Sequence, residues 1–248
     1  MTQAASPGLR PRRFLTAEWR HLLMLNYPVE RALLEPLVPP GTSLDTFQGR
    51  AYVSLVGFLF LKTRVLGVPV SFHRDFEEVN LRFYVRRFAD GDWRRGVVFI
   101  KEIVPKAMIA AIARAAYNEA YVALPMRHRI ELQPDGVPAS VEFGWQQGEA
   151  AFSLRAKAAN PARVPRPGSL EEFITEHYWG YVRQRDGGCV EYQVEHPRWR
   201  VWTAVEAKFE GDATSLYGGD FATALRVAPA SAFIAEGSVV TVFKGVRL

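Results

Sequence analysis

One cysteine, Cys189, is all the thiol this 248-residue chain has. A disulfide framework and a multi-cysteine zinc site are therefore excluded, and a single thiol suits a reducing cytoplasm. Long apolar runs are missing too. The longest, AYVSLVGFLFL from Ala51, is interrupted by Ser54 and falls well short of the ~20 residues of a membrane helix. Arg12 and Arg13 begin a short RRFL, but Glu18, Arg20 and His21 follow where an export signal needs an apolar stretch. The chain has no Gly-rich phosphate loop and no G-x-S-x-G elbow. His21, His73, His128, His177 and His196 lie far apart, with no ligand spacing to carboxylates. No metal and no nucleotide cofactor is expected.

Lysine is also scarce: of 31 basic residues only six are lysines, and the rest are arginines. The net charge of +5 arises from arginines interleaved with acids, as in RRFADGDWRR. A phosphate track needs clustered charge rather than net charge, so nucleic acid is not an expected partner. Hydrophobic residues make up 48% and charged residues 23%, which is enough apolar surface for a large core. The expectation is a cytoplasmic, membrane-free protein. Residues 1–13 are expected to be a flexible segment, and residues 14–248 a single domain. Association of like chains stays open.

Strand patterns dominate what is there. TAEWRHLLMLNY from Thr16 reads as a first strand, and Pro28 predicts a short helix from Val29 to Leu37. The run from Ala51 is apolar on both faces, so both should be covered. EVNLRFYV alternates: Val79, Leu81, Phe83 and Val85 share one face, and Glu78, Asn80, Arg82 and Tyr84 the other. DGDW at Asp90 turns the chain into GVVFIKEIV, predicting an antiparallel hairpin. Pro105 predicts a helix with Met108, Ile109 and Ile112 on one face. Further strands are expected to Ala156, then a proline-rich loop, ANPARVPRPG. Ser169 with Glu172 is a capping box for LEEFITE. About ten strands and a few short helices predict an α+β fold. Its sheet is mostly antiparallel, curled or closed into a cone-like β-barrel.

Chemistry-bearing residues concentrate on the central hairpin. The row Glu78, Asn80, Arg82, Tyr84 is either a solvent-facing surface or the polar wall of an internal pocket. In FIKEIVPK, strict alternation puts Lys101 with Phe99 and Ile103, and Glu102 with Ile100 and Val104. Burying a lysine or a glutamate in so apolar a strand is costly. Lys106 follows Pro105 at a corner, where desolvation lowers an amine's pKa and frees it to attack a carbonyl. Later, EHYWGYVRQRDG offers His177 and Tyr181, either as core aromatics or as pocket residues.

Several segments carry a family resemblance. LEPLVPPGTSLDTFQGRAYVSLVGF, FEEVNLRFYV, GVVFIKEIVPK, YNEAYVALPM, EFITEHYWGYVRQRDG and VEHPRWRVW resemble the YqjF-like family of uncharacterised bacterial proteins, domain of unknown function 2071. That family resembles acetoacetate decarboxylase in fold, which implies a cone-like, mostly antiparallel sheet around a ligand-binding cavity. In the decarboxylases a lysine after a proline forms a Schiff base with the substrate ketone. Pro105–Lys106 is the matching pair, with Glu102 upstream, and Ala107 stands where the decarboxylase pattern has a second lysine. The resemblance implies a lyase-like cavity protein that binds or transforms a small oxo acid or carbonyl compound. Lys106 or Lys101 would be its amine, Glu102 or Glu78 its acid/base and Arg82 its carboxylate clamp, with Asn80, Tyr84, His177 and Tyr181 around the substrate. The alternative is a non-catalytic small-molecule binding module.

Overall fold

The computed structural model describes residues 12–70, 74–105 and 120–248. The helix expected after Pro105, and Lys106 with it, lies outside the described residues.

The first strand, β1 (Arg13–Val29), runs past Pro28, which pairs with Tyr52. The predicted helix start at Pro28 is thus displaced: α1 spans Arg31–Leu34, followed by a 3-10 turn over Glu35–Leu37. Proline is tolerated here because β14 pairs with β1 only as far as Asn26, so one edge is open at Pro28. Next come β2 (Ser43–Leu44), β3 (Ala51–Val65), β4 (Val68–Pro69), β5 (Phe76–Ala89), β6 (Asp92–Val104) and β7 (Tyr121–Ala123). Then follow β8 (Met126–Leu132), β9 (Pro138–Gln147), β10 (Ala150–Arg163), α2 (Leu170–Thr175), β11 (Trp179–Arg183), β12 (Cys189–Glu195) and β13 (Val201–Glu210). The chain closes with α3 (Thr214–Tyr217), α4 (Gly219–Leu225), β14 (Ser231–Phe243) and β15 (Val246–Arg247).

Among the described residues these strands form one sheet. It is mostly antiparallel; β6 pairs in parallel with β11 and β7. Part of the expected proline-rich loop belongs to β10, where Pro161 falls at the register irregularity between Ala159 and Arg163. The expected capping box forms in half: Ser169 Oγ accepts from Glu172 N at 3.2 Å, but the Glu172 carboxylate accepts from Gly168 N, one residue before the cap, while Ser169 N bonds the Arg166 carbonyl.

The sheet curls strongly. Pairings run β12–β11–β6–β5–β3–β1–β14, and β14 pairs again with β12 through Val242 and Thr241. At its other end β14 pairs with β13, which leads through β10 and β9 to β8. That second half folds back over the outside of the first.

This arrangement explains why β3 is apolar on both faces and buried from Ala51 to Phe60. Val53, Leu55 and Leu59 face outward into a core shared with Phe143, Trp145, Phe152 and Leu154 of β9 and β10. Tyr52, Val56, Phe58 and Phe60 face inward, where they meet Phe76, Tyr84, Phe173 and Trp199. Each large apolar side chain buried this way contributes about 1.5–3 kcal/mol. The layers meet closely at Gly57, where a Cβ would lie 2.6 Å from Phe143 Cδ2.

Candidate functional site

The inside of the curl holds a pocket of ≈ 170 Å³. By volume it accommodates several water-sized groups. Alternation along β5 aims Glu78, Asn80 and Arg82 into it. Glu78 and Asn80 are buried, at 2% and 1% exposure. Val79, Leu81, Phe83 and Val85 go to the outer core. Tyr84 shares the inward face but does not line the pocket. Its ring packs on His177 at 4.7 Å and its hydroxyl lies 2.5 Å from Ser54 Oγ. Ser54, the polar break in the apolar run, also donates to Asn26 Oδ1 at 2.6 Å.

β6 departs from strict alternation. Leu81 pairs with Lys101 while Arg82 pairs with Phe99, so Ile100 is a bulged extra residue. Phe99 and Glu102 therefore both line the pocket. The expected grouping of Lys101 with Phe99 is corrected by this bulge. Lys101 lies across the strand from the pocket, with its amine on the Leu216 carbonyl of α3 and 6.0 Å from the Tyr217 ring centroid. Partial burial pushes its pKa down. Lys106 is outside the described residues, and among those described no lysine lines the pocket.

The pocket's charge is unusual. Arg82 has no carboxylate salt-bridge partner among the described residues; the side-chain hydrogen bond it makes there runs from Nη2 to Met24 Sδ at 4.0 Å. Its Nε is buried with no protein hydrogen-bond partner, and so is Asn80 Oδ1. Asn80 instead spends its amide on Glu78, donating to Oε1 at 2.9 Å, and Tyr121 donates to Oε2 at 3.3 Å. Burial pushes the Glu78 carboxyl up to about 7, against those two hydrogen bonds and the Arg82 charge. It is thus poised to hold or release a proton near neutral pH. Glu102, 2% exposed, is the second acid of the wall.

His177 closes the same end. Its Nε2 lies 3.2 Å from Asp45 Oδ2, and Arg95 Nε donates to that oxygen at 2.7 Å. Burial drives the His177 pKa down to about 4, overcoming the hydrogen bond and charge of Asp45. Asp45 is buried too, which raises its pKa, but His177 and Arg95 hold it below the usual carboxylate range. The neutral imidazole therefore donates from Nε2, leaving the Nδ1 lone pair buried without a partner among the described residues.

Tyr181 is placed elsewhere. Gly180 lies opposite pocket-lining Tyr192, so its neighbour Tyr181 takes the other face of β11. There its hydroxyl donates to Glu191 at 2.9 Å, within a buried cluster that Arg87 and Arg94 neutralise. Most rings of the pocket went unread in the sequence, as did Asp45. Trp19, Phe58, Phe60 and Phe76 look like any core aromatics. The acid Asp45, alone between Leu44 and Thr46, was the one visible signal.

With this geometry in place, comparison with known proteins identifies the lineage. The family DUF2071, an uncharacterized conserved protein, matches residues 16–238. The chain belongs to the DUF2071 family. A DUF2071 relative, the uncharacterized protein YqjF of Bacillus subtilis (strain 168), is 27% identical over 187 residues, 75% of this chain and 74% of that protein. Solved structures share the fold of this DUF2071 chain at low identity. Acetoacetate decarboxylase from Legionella pneumophila superimposes with a TM-score of 0.66 at 13% identity, covering 98% of this chain and 92% of that one. An acetoacetate decarboxylase-like enzyme from Sphingomonas wittichii RW1 gives 0.66 at 15%, covering 98% of both. The enduracididine biosynthesis enzyme MppR complexed with pyruvate gives 0.62 at 14%, covering 98% and 92%. The DUF2071 chain therefore has the acetoacetate decarboxylase-like fold: mostly sheet, curled, with few short helices.

Proposed function

We propose that the pocket binds a small oxo acid, with Arg82 taking its carboxylate and Glu78 serving as the neighbouring proton donor and acceptor. The observation that carries this reading is Arg82 itself: a guanidinium turned into a largely apolar pocket without a carboxylate partner among the described residues. A cation so placed is costly unless an anion joins it, and its paired N–H groups match a carboxylate. A pyruvate complex of a protein with the same fold supports the ligand class.

The reacting amine of this proposal is Lys106. Its nitrogen would add to the ligand's carbonyl carbon, and the carbinolamine would lose water as an acid donates a proton to the leaving hydroxyl. Glu78, near pKa 7, suits that donation. A second reading, a binding module without covalent chemistry, is favoured by Lys101, whose amine lies away from the pocket.

Titration calorimetry with pyruvate and acetoacetate tests the binding, and borohydride reduction followed by peptide mass spectrometry tests the amine. Saturable binding that weakens at least ~10-fold in Arg82→Gln is expected, since a charge-assisted pair contributes on the order of 1.5–3 kcal/mol. A reduced adduct on Lys106, absent in Lys106→Arg, is the expected covalent result. Binding without an adduct selects the binding module. Unchanged affinity in Arg82→Gln overturns the carboxylate site.

A further inference from the structure

The pocket is sorted along its length. On β5 the lining runs from Arg82 through Asn80 and Glu78 to Phe76, with cross-strand partners Ser54, Val56, Phe58 and Phe60 on β3. The six steps of strand from Arg82 to Phe76 span roughly 20 Å. Every charged group that β5 brings to the pocket lies in the half from Arg82 to Glu78. The other half is built of rings: Phe60 stacks on Phe76 at 4.7 Å, and Trp19 sits edge-on to Phe58 and Phe60 at 5.4 and 5.7 Å. Beyond them Leu15, Val65 and Val70 extend the apolar lining. Thr63 lies among them, 3% exposed, its hydroxyl without a hydrogen-bond partner among the described residues.

From this ordering we infer that the ligand is an amphipathic acid: an oxo acid whose carboxylate meets Arg82 and whose tail is a hexyl chain, a benzyl group or similar, laid along Phe58, Phe60 and Phe76. The inference rests on the carboxylate reading of Arg82 and adds the tail. A three-carbon acid held at Arg82 is used up within the polar half and leaves the ring-lined half without a partner. A longer one places carbon against carbon along the rings, where each methylene removed from water strengthens binding about fourfold. The stacked and edge-on rings also accept a flat aromatic tail.

Calorimetry on the 248-residue chain with pyruvate, 2-oxooctanoate and phenylpyruvate tests this. The expected result is that both tailed acids bind at least ~100-fold more tightly than pyruvate. Phe76→Leu should shrink that advantage several-fold, read as the ratio of each tailed acid's affinity to that of pyruvate in the same variant. Its thermal unfolding would be recorded alongside, with Phe60→Leu as a second variant should Phe76→Leu not fold. Tailed acids that bind within threefold of pyruvate overturn the tail and leave the carboxylate site standing. Tailed acids that bind tightly but equally well to Arg82→Gln overturn the carboxylate site, and with it the acid class. No saturable binding of any of the three overturns both.

Discussion

Glu78 and His177 are buried at the same end of one pocket, and burial moves them in opposite directions, each toward its neutral form. That opposition has a consequence for stability. Glu78 has a folded pKa of about 7, above its ordinary 4.5, so between those values the folded chain holds a proton that the unfolded chain has lost. Its contribution is fully present below pH 4.5 and disappears as pH rises through 7. His177, with a folded pKa of about 4 against 6.5, behaves oppositely: its contribution is present above pH 6.5 and is lost as pH falls through 4. Each slope amounts to on the order of 3 kcal/mol over its window. The windows overlap, so the two trends offset one another from about pH 4.5 to 6.5. Removing either group should unmask the other. Denaturation midpoints of Glu78→Gln are expected to rise with pH across that interval, and those of His177→Gln, which keeps a donor for Asp45, to fall. Parallel slopes in wild type and both variants would show that neither group titrates as its burial implies.

At the scale of the element, the two hairpin strands show what a sequence discloses and what it hides. The alternation of β5 was legible because apolar and polar residues follow a strict period of two, and the structure turns Glu78, Asn80 and Arg82 one way and Val79, Leu81 and Phe83 the other. The double-sided burial of β3 was legible for the opposite reason, an apolar run with no alternation. β6 was not, because a bulge costs one residue and leaves no compositional mark; after Ile100 every assignment moves to the opposite face, Lys101 outward and Glu102 inward. Pro28 misled because a proline suits an open strand edge as well as a first helical turn. Tyr181 and His177 are both buried, and no period in the sequence separates pocket from outer cluster, because His177 lies ahead of β11 and only Tyr181 is held by its pairing. Gly57 is an element-scale feature of the same kind: its missing side chain lets β9 close over β3. Gly57→Ala should press on the Phe143 and Leu154 side chains and destabilise the protein by about 1–3 kcal/mol, read from denaturant unfolding. A neutral or stabilising result would mean that the Phe143 ring moves aside freely.

For the molecule as a whole, the decisive feature is that one sheet serves two interiors. β1, β3 and β5 present an outer face to a dry aromatic core and an inner face to the polar-ended pocket. Stability and binding thus draw on different side chains of the same strands. Trp145 tests the separation. It is fully buried in the outer core, stacked between Phe152 at 5.5 Å and Phe209 at 6.0 Å, and it does not line the pocket. Trp145→Ala removes a large volume that rigid sheets refill poorly, and a loss of about 3–5 kcal/mol is expected. Glu78 and Arg82 are aimed by the pairing of β5 with β3 and β6, which involves neither β9 nor β10. The folded fraction of Trp145→Ala should therefore bind the proposed oxo acid with an affinity within about threefold of wild type, since distant sites act additively. Calorimetry below the variant's unfolding temperature makes the comparison. A matched loss of stability and affinity would mean instead that the outer layer sets the curvature of the strands, and that the pocket's shape depends on the core behind it.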